Sequence, residues 1–337
     1  MSIRFTRFAR AALALSLGMS SALVFAQQPI VIKFSHVTAV DSPKGKAADF
    51  FKQLAEKNSN GRVKVEVYPN SSLYKDKEEL EALQIGAIQM LAPSLSKFGP
   101  LGAKEFELFE LPYLFADYDQ LHKITFGPVG VQLFKKLEPK GILGLAYWDN
   151  GFRQMSSNTP LRLPADFKGL KLRIVSAKIT DAYTRALGAT PQVMAFSEVY
   201  QAMQTGVVDG GENALSNIAT QKFYEVQKYI TLSDHGYLGY AVVVNKKFWE
   251  GLPPDIRIIL TEAMAKATEF NNQTAKADNN NSLEFIKKTG KTQIITLTPA
   301  EKAEWKKVVM PVHKQMEDRI GKELLQSAYK DIGFTGK

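Results

Sequence analysis

At two places 120 residues apart, the chain runs through one twelve-residue pattern. Glu78–Gln89 reads EELEALQIGAIQ and Glu198–Asp209 reads EVYQAMQTGVVD, so both follow E-x-x-x-A-[LM]-Q-x-G-[AV]-[IV]-[QD]. Each copy reads as a helix, a glycine able to take the left-handed backbone of a helix C-terminus, and the approach to a strand. The offset is far too long for a solenoid, whose repeats run to about 20–50 residues. It suits two lobes built on the same helix–glycine–strand unit, with chance likeness between two helix ends as the competing reading. The length of 337 residues agrees with about two domains.

The surrounding patterns extend both units. Ile30–Phe34 alternates as a strand, Pro43 opens an amphipathic helix that ends near Gly61, and Arg62–Tyr68 alternates as a second strand. With the helix Asp76–Ile85 and a strand at Ala87–Leu91, this is βαβαβ, the order of a mostly parallel sheet covered by helices. Strands resume at Ile142–Trp148 and Phe152–Ser156. A second series follows: strand Leu170–Val175, helix Ala177–Leu187, strand Thr190–Met194 and helix Phe196–Thr205. Gly206–Asp209 then leads to a strand end. Tyr229–Leu232 and Tyr237–Asn245 read as further strands. From Pro253 to about Lys288 the chain is helical almost without a break, a span of roughly 50 Å at ~1.5 Å per residue and long enough to cross both lobes. A short strand at Thr292–Thr296 and helices at Pro299–Lys306 and Val312–Lys330 close the chain.

Residues 1–26 stand apart. Arg4, Arg7 and Arg10 precede an apolar run from Ala11 to Phe25, and Val24-Phe25-Ala26 puts small residues at −3 and −1. This predicts a secretory signal peptide cleaved after Ala26, rather than an anchor, because Gly18, Ser20 and Ser21 interrupt the run. Without the leader arginines the formal charge falls from +9 to +6. A basic surface could serve nucleic acid, an anionic membrane or an acidic small solute; export argues against nucleic acid, and the lysines are scattered as on an ordinary solvated face.

Chemistry is mostly absent from the sequence. There is no cysteine, which excludes disulfides, thiolate metal sites and a cysteine nucleophile. The four histidines, 36, 122, 235 and 313, form no H-x-x-x-H pair. No G-x-S-x-G elbow or phosphate loop occurs, Asp209–Asn213 only faintly resembles a calcium loop, and Asp278–Asn281 reads as a solvated face of the long helix. What remains is a set of polar residues at strand ends. Arg153 follows a strand, Arg173 sits inside the apolar strand Leu170–Val175, and Asn213 follows the strand end at Asp209. An arginine among aliphatic residues must meet a negative group, and a ligand carboxylate would meet it through a paired, charge-assisted contact. Taken singly, each reads first as an internal ion pair or an edge residue and only second as a ligand contact.

These features together resemble the DctP family, the periplasmic solute-binding subunits of TRAP transporters, over essentially the whole chain after the leader. The stretches that carry the resemblance are FSHVTAVDSPKGK at Phe34–Lys46, VYPNSSL at Val67–Leu73, Glu81–Met90, and FELFELPYLF at Phe106–Phe115. Further on they are GFRQMSSNTPLRLPADFKGLKLRI at Gly151–Ile174, Thr190–Asn213, and HGYLGYAVVVNKKFW at His235–Trp249. PNSSLYKDKEELEALQIGAIQMLAPSL and PQVMAFSEVYQAMQTGVVDGGEN are particularly similar to the four-carbon dicarboxylate branch.

The resemblance implies an α/β, two-lobed periplasmic binding protein fold with hinge strands and a long lobe-spanning helix. The expected division is residues 27–150 with about 239–278 as lobe I, 151–238 with about 279–306 as lobe II, and 307–337 as C-terminal helices. It implies a ligand held in the cleft, Arg173 as the signature arginine on its carboxylate, Asn213 donating to the same carboxylate, and Arg153 nearby. A second carboxylate would be held from among Arg153, Lys44, His36 and Ser94. His36 and Lys44 flank the first strand–helix connection, and Ser94 follows the third strand. Tyr237 and Tyr240, on the hinge-like strand, complete the candidates, with packing as their alternative role, and Trp148 is expected to pack. The expected solute is succinate, malate or fumarate, with another organic acid (sugar, hydroxy or keto acid) as the alternative. A secreted carboxylate-processing enzyme and a sensor subunit are the readings from other classes. No cofactor is expected, the chain is expected to be a monomer, and its macromolecular partners are expected to be the TRAP membrane permease subunits.

Overall fold

The computed structural model describes residues 28–336, so the leader and its cleavage after Ala26 lie outside the described residues. Two sheets form the frame. The strands are β1 (Ile30–Ser35), β2 (Val63–Tyr68), β3 (Met90–Leu91), β4 (Ile142–Phe152), β5 (Gln154–Ser157), β6 (Lys171–Ile174), β7 (Thr190–Val193), β8 (Gly210–Asn213), β9 (Tyr229–Leu232), β10 (Tyr237–Asn245) and β11 (Gln293–Thr296). One sheet has the order β2-β1-β3-β10-β4 and the other β11-β9-β5-β8-β6-β7. The parallel pairs β1–β2 and β1–β3 in the first sheet, and β6–β7 and β6–β8 in the second, are the βαβ units expected from the sequence.

The repeated pattern folds the same way twice. Gly86 and Gly206 have φ of +78° and +74°, which only glycine adopts freely. Beyond each glycine the chain returns to its sheet by one route. Gln89 N bonds Lys33 O while the Gln89 side chain accepts from Lys33 N. Asp209 N bonds Lys171 O while the Asp209 side chain accepts from Lys171 N. The strands then begin later than the sequence reading placed them. The first is only Met90–Leu91 and the second is Gly210–Asn213, so Asn213 ends its strand instead of following it. The same side chain that caps the turn occupies the backbone donor a longer strand would use.

The chain passes between the sheets at Arg153, between β4 and β5, and at Ser233–Gly236, between β9 and β10. β10 is buried along its whole length and pairs antiparallel with β4 from Tyr237–Phe152 to Asn245–Ile142. The helix Pro254–Thr289, 36 residues long, is the third connection. Ile256, Leu260, Ala263, Met264 and Ala267 pack into the core of the first sheet with Phe34 and Trp148, whereas Ile286 joins that of the second with Val208 and Ile230. Between these apolar ends, asparagines bind the helix to the crossing strand. Asn271 Nδ2 donates to Asp149 O (2.9 Å), Asn272 Oδ1 accepts from Asp149 N (2.9 Å), and Asn279 Nδ2 donates to Asn150 O (2.6 Å). Asn279 is therefore a joint and not part of a solvated face, because the backbone of β4 at the crossing needs partners that no neighbouring strand supplies. The last expected helix breaks into Pro311–Gln315, Glu317–Ile320 and Lys322–Ile332, interrupted by Gly321 at φ +98°.

Candidate functional site

A cleft lies between the sheets where their strands end. Arg173 reaches it from β6, Asn213 from the end of β8, Arg153 from the crossing, Tyr240 and Leu238 from β10, and Ser94 from the turn after β3. Residues not anticipated from sequence also line it: Thr38, Asp76, Glu79, Lys97, Phe196 and Asn217. Asn217 was legible in principle, since it lies four residues beyond Asn213 on the start of a helix. Glu79 and Asp76 were legible through the repeat, where their counterparts are Val199 and Phe196.

The two cleft arginines have different surroundings. Arg153 is wholly engaged. Its Nε donates to Tyr237 O (3.0 Å), one terminal nitrogen to Glu212 Oε1 (3.0 Å) and the other to Glu110 Oε2 (2.8 Å). Glu212 also accepts from the Tyr183 hydroxyl, and His235 Nε2 lies 2.8 Å from its Oε2. Burial works against all these charges. At Arg153 the two carboxylates outweigh it and raise the pKa. At Glu212 Arg153, His235 and Tyr183 outweigh it and hold the carboxyl at about 2, whereas at Glu110 burial prevails and pushes the pKa up to about 7.

Arg173 has one hydrogen bond, from a terminal nitrogen to Met194 O at 3.0 Å, and its buried Nε has no partner. Only 3% of the residue is exposed, and burial lowers its pKa to about 10. Asn213 is oriented for donation beside it. Its Oδ1 accepts from Ala214 N (3.0 Å) and Asn217 Nδ2 (2.9 Å), which leaves its own Nδ2 for the cleft.

The remaining candidates divide. Ser94 lines the cleft and its hydroxyl shares a proton with Ser96 at 2.9 Å. Lys44 is buried behind the wall, with Nζ donating to Ala92 O (2.9 Å) and lying 3.7 Å from the centre of the Tyr240 ring; burial lowers its pKa to about 7. Tyr240 accepts from Asn150 and Asn217 through its hydroxyl. Tyr237 does not line the cleft, and its hydroxyl donates to Asp149 at 2.8 Å. His36 lines a separate cavity with Val40, Lys46 and Val67, and burial together with Lys44 lowers its pKa to about 3. Trp148 is buried in the core, as expected. Among the described residues no group of three or more acids and histidines is placed to hold a metal ion.

Residues 34–319 match the family described as bacterial extracellular solute-binding protein, family 7 (DctP). The chain is 61% identical over 314 residues to the C4-dicarboxylate-binding periplasmic protein DctP of Rhodobacter capsulatus, covering 93% of this chain and 94% of that one. A TRAP periplasmic solute-binding protein from Shewanella oneidensis, crystallised with succinate, superposes with a TM-score of 0.88 at 42% identity, covering 90% of this chain and 99% of that one. One from Pseudomonas aeruginosa PAO1, crystallised with L-malate, superposes with a TM-score of 0.83 at 42% identity, covering 85% and 100%.

Proposed function

The chain belongs to the DctP family of bacterial extracellular solute-binding proteins, and from that membership we propose that it captures a four-carbon dicarboxylate in the cleft at Arg173. One observation carries the reading: a guanidinium 3% exposed, with one backbone partner and an orphaned Nε, at the edge of a cleft between two sheets. A buried cation without a counter-charge is costly, and a carboxylate lying along Arg173 relieves that cost through a charge-assisted pair. Asn213 Nδ2 donates to the same carboxylate. The far carboxylate meets the wall formed by Ser94, Lys97 and, behind it, Lys44. Arg153 borders the ligand and holds the crossing strands together, while Tyr240 supports Lys44. His36 and Tyr237 act at one remove, beneath the first strand–helix connection and at the hinge.

Each sheet with its helices forms one lobe, residues 27–150 with about 239–278 and residues 151–238 with about 279–306. The helices of 307–337 brace the first lobe through Arg319–Glu107 (2.6 Å). Closure is about the crossings at Arg153 and Ser233–Gly236, and Lys75–Glu198 (3.0 Å) bridges the mouth of the cleft. The protein works in the periplasm after its leader is cut at Ala26. There it releases its solute unchanged to the TRAP permease and needs no cofactor.

The test is a thermal-shift and calorimetric panel of carboxylic acids of about two to seven carbons, since a ligand of the folded state raises its stability with concentration over Kd. The expected result is stabilisation by succinate, malate and fumarate, with the solute recovered unchanged from the complex by mass spectrometry. Stabilisation by sugar acids or monocarboxylates alone would replace the solute, and a recovered product would replace binding with catalysis.

A further inference from the structure

The wall facing Arg173 presents an unexpected chemistry for an anion site. Glu79 lines the cleft from the first turn of the helix Glu79–Gln84, is 1% exposed, and has a buried Oε2 without a hydrogen-bond partner. The fold of this unit does not require an acid there. In the second copy of the repeat the same position is Val199, also 1% exposed, on a helix that ends in the same glycine turn. An apolar side chain fills the place as well, so the carboxyl has another purpose.

Counting charges around the cleft shows what that purpose is. Arg153 pairs with two carboxylates, Glu110 and Glu212, and Lys97 with Asp76 at 2.8 Å. Outside those pairs stand Arg173, Lys44 and Glu79. Lys44 approaches Glu79 from the helix Pro43–Asn58, Lys97 from the turn after β3, and Asp76 from the loop before its own helix. Burial lowers the Lys44 pKa to about 7, while Ala92 O, the Tyr240 ring and an adjacent dianion each favour its charged form. If Glu79 is ionised, a dicarboxylate dianion enters a site whose uncommitted charge is one cation. If Glu79 is protonated, the dianion meets two, Arg173 and Lys44, and the Glu79 hydroxyl becomes a donor to the far carboxylate.

We propose that this cleft captures its dianion together with one proton, which Glu79 takes up and then uses to donate a hydrogen bond to the ligand. The inference rests on the dicarboxylate reading above and adds the group that balances the second charge. Burial already pushes the Glu79 pKa up to about 7, against the opposing pull of Lys44, and an adjacent dianion drives it further in the same direction. The balance is simple: the proton comes from solvent on binding and returns to solvent on release.

The test is calorimetry of the whole mature protein with succinate in buffers of different ionisation enthalpy, from about pH 6.5 to 9. This range keeps the ligand doubly ionised. The wild type should take up close to one proton per succinate at about pH 8, and its Kd should weaken towards about tenfold per pH unit above that. Glu79→Gln keeps a neutral donor of the same shape. It should bind succinate at about pH 6.5 within a few-fold of wild type and lose most of the proton uptake and of the pH slope. Buffer-independent binding heats in the wild type would overturn the proposal while leaving the dicarboxylate site in place. So would undiminished uptake in Glu79→Gln, which would move the proton to Lys44, Glu110 or elsewhere. Failure of the wild type to bind succinate, malate or fumarate at any pH would overturn the solute reading and this inference together.

Discussion

Arg153 and Arg173 are both buried, both border the same cleft and both come from the stretch Gly151–Ile174, yet their neighbours give them opposite parts. Arg153 lies where β4 becomes β5, between a carboxylate from the helical segment Lys104–Glu110 and one from β8. Its donors are committed and its charge is matched, so it belongs to the frame that joins the lobes. Arg173 lies inside β6, in register with Gln192 and Gly211 of the neighbouring strands, and its side chain donates to Met194 O and lies over the face of Phe196. A committed guanidinium adds order, whereas an uncommitted one raises the energy of the empty site and so adds to affinity when a carboxylate arrives.

Truncating each arginine, with stability and binding read separately, tests the two parts. Arg153→Ala leaves Glu110 and Glu212 buried without their cation and should cost about 3–5 kcal/mol of folding stability, read by chemical denaturation. A loss under about 1 kcal/mol would show that the matched pair is not structural. The wild type should carry the same network in its pH dependence. Glu212, held at about 2, contributes stability that is present above the unfolded carboxylate pKa and is lost as pH falls from about 4.5 towards 2. Glu110, pushed up to about 7, has the opposite sign: the stability it gives is present in acid and is lost as pH rises from about 4.5 through 7. The stability of the ligand-free protein should therefore fall on the acid side through Glu212, and Glu110→Gln should flatten the decline between about pH 5 and 7.

Arg173→Ala should do the reverse. Removing a buried cation that has no counter-ion should leave the empty protein as stable as wild type or more so, while succinate affinity falls by about 3 kcal/mol, a factor of more than one hundred. Near-native binding by the folded variant would remove Arg173 from the site. Arg173→Lys should fall between, because it restores the charge without the planar fork.

The difference between the arginines was only half legible in the sequence. An arginine inside LKLRIV is visible as a buried cation needing a partner, and the repeated helix–glycine unit fixes the βαβ frame that carries it. Whether the partner is internal depends on contacts of long sequence separation. Glu110 lies in FELFELPYLF, a stretch whose crowded aromatic residues show neither helix nor strand period and which folds as 3-10 turn. Tyr237, His36 and Lys44 show the same limit, since each sits at a legible strand end or helix start while its burial and partner come from other elements. Asp76 and Glu79 were hidden because an acid near a helix start reads as an exposed cap, and only the counterparts Phe196 and Val199 mark those positions as interior.

The smallest effects separate the polar groups on either side of Arg173. Asn213 cannot turn its amide around, because Ala214 N and Asn217 Nδ2 both hold its Oδ1. Its Nδ2 is therefore a fixed donor, and Asn213→Ala should cost about 1.5–3 kcal/mol of affinity, the range of one hydrogen bond to a charged group. Asn213→Asp should cost more, since it puts an acceptor and a like charge beside the carboxylate that Arg173 holds. Ser94 has a rotatable hydroxyl already hydrogen-bonded to Ser96, with either hydroxyl able to be the donor, and Ser94→Ala should cost about 0.5–1 kcal/mol. Titration calorimetry of the three variants with succinate checks the ordering. If Ser94→Ala cost as much as Asn213→Ala, the far carboxylate would be held as firmly as the near one, and the cleft would have two anchors where the contrast between the arginines assigns it one.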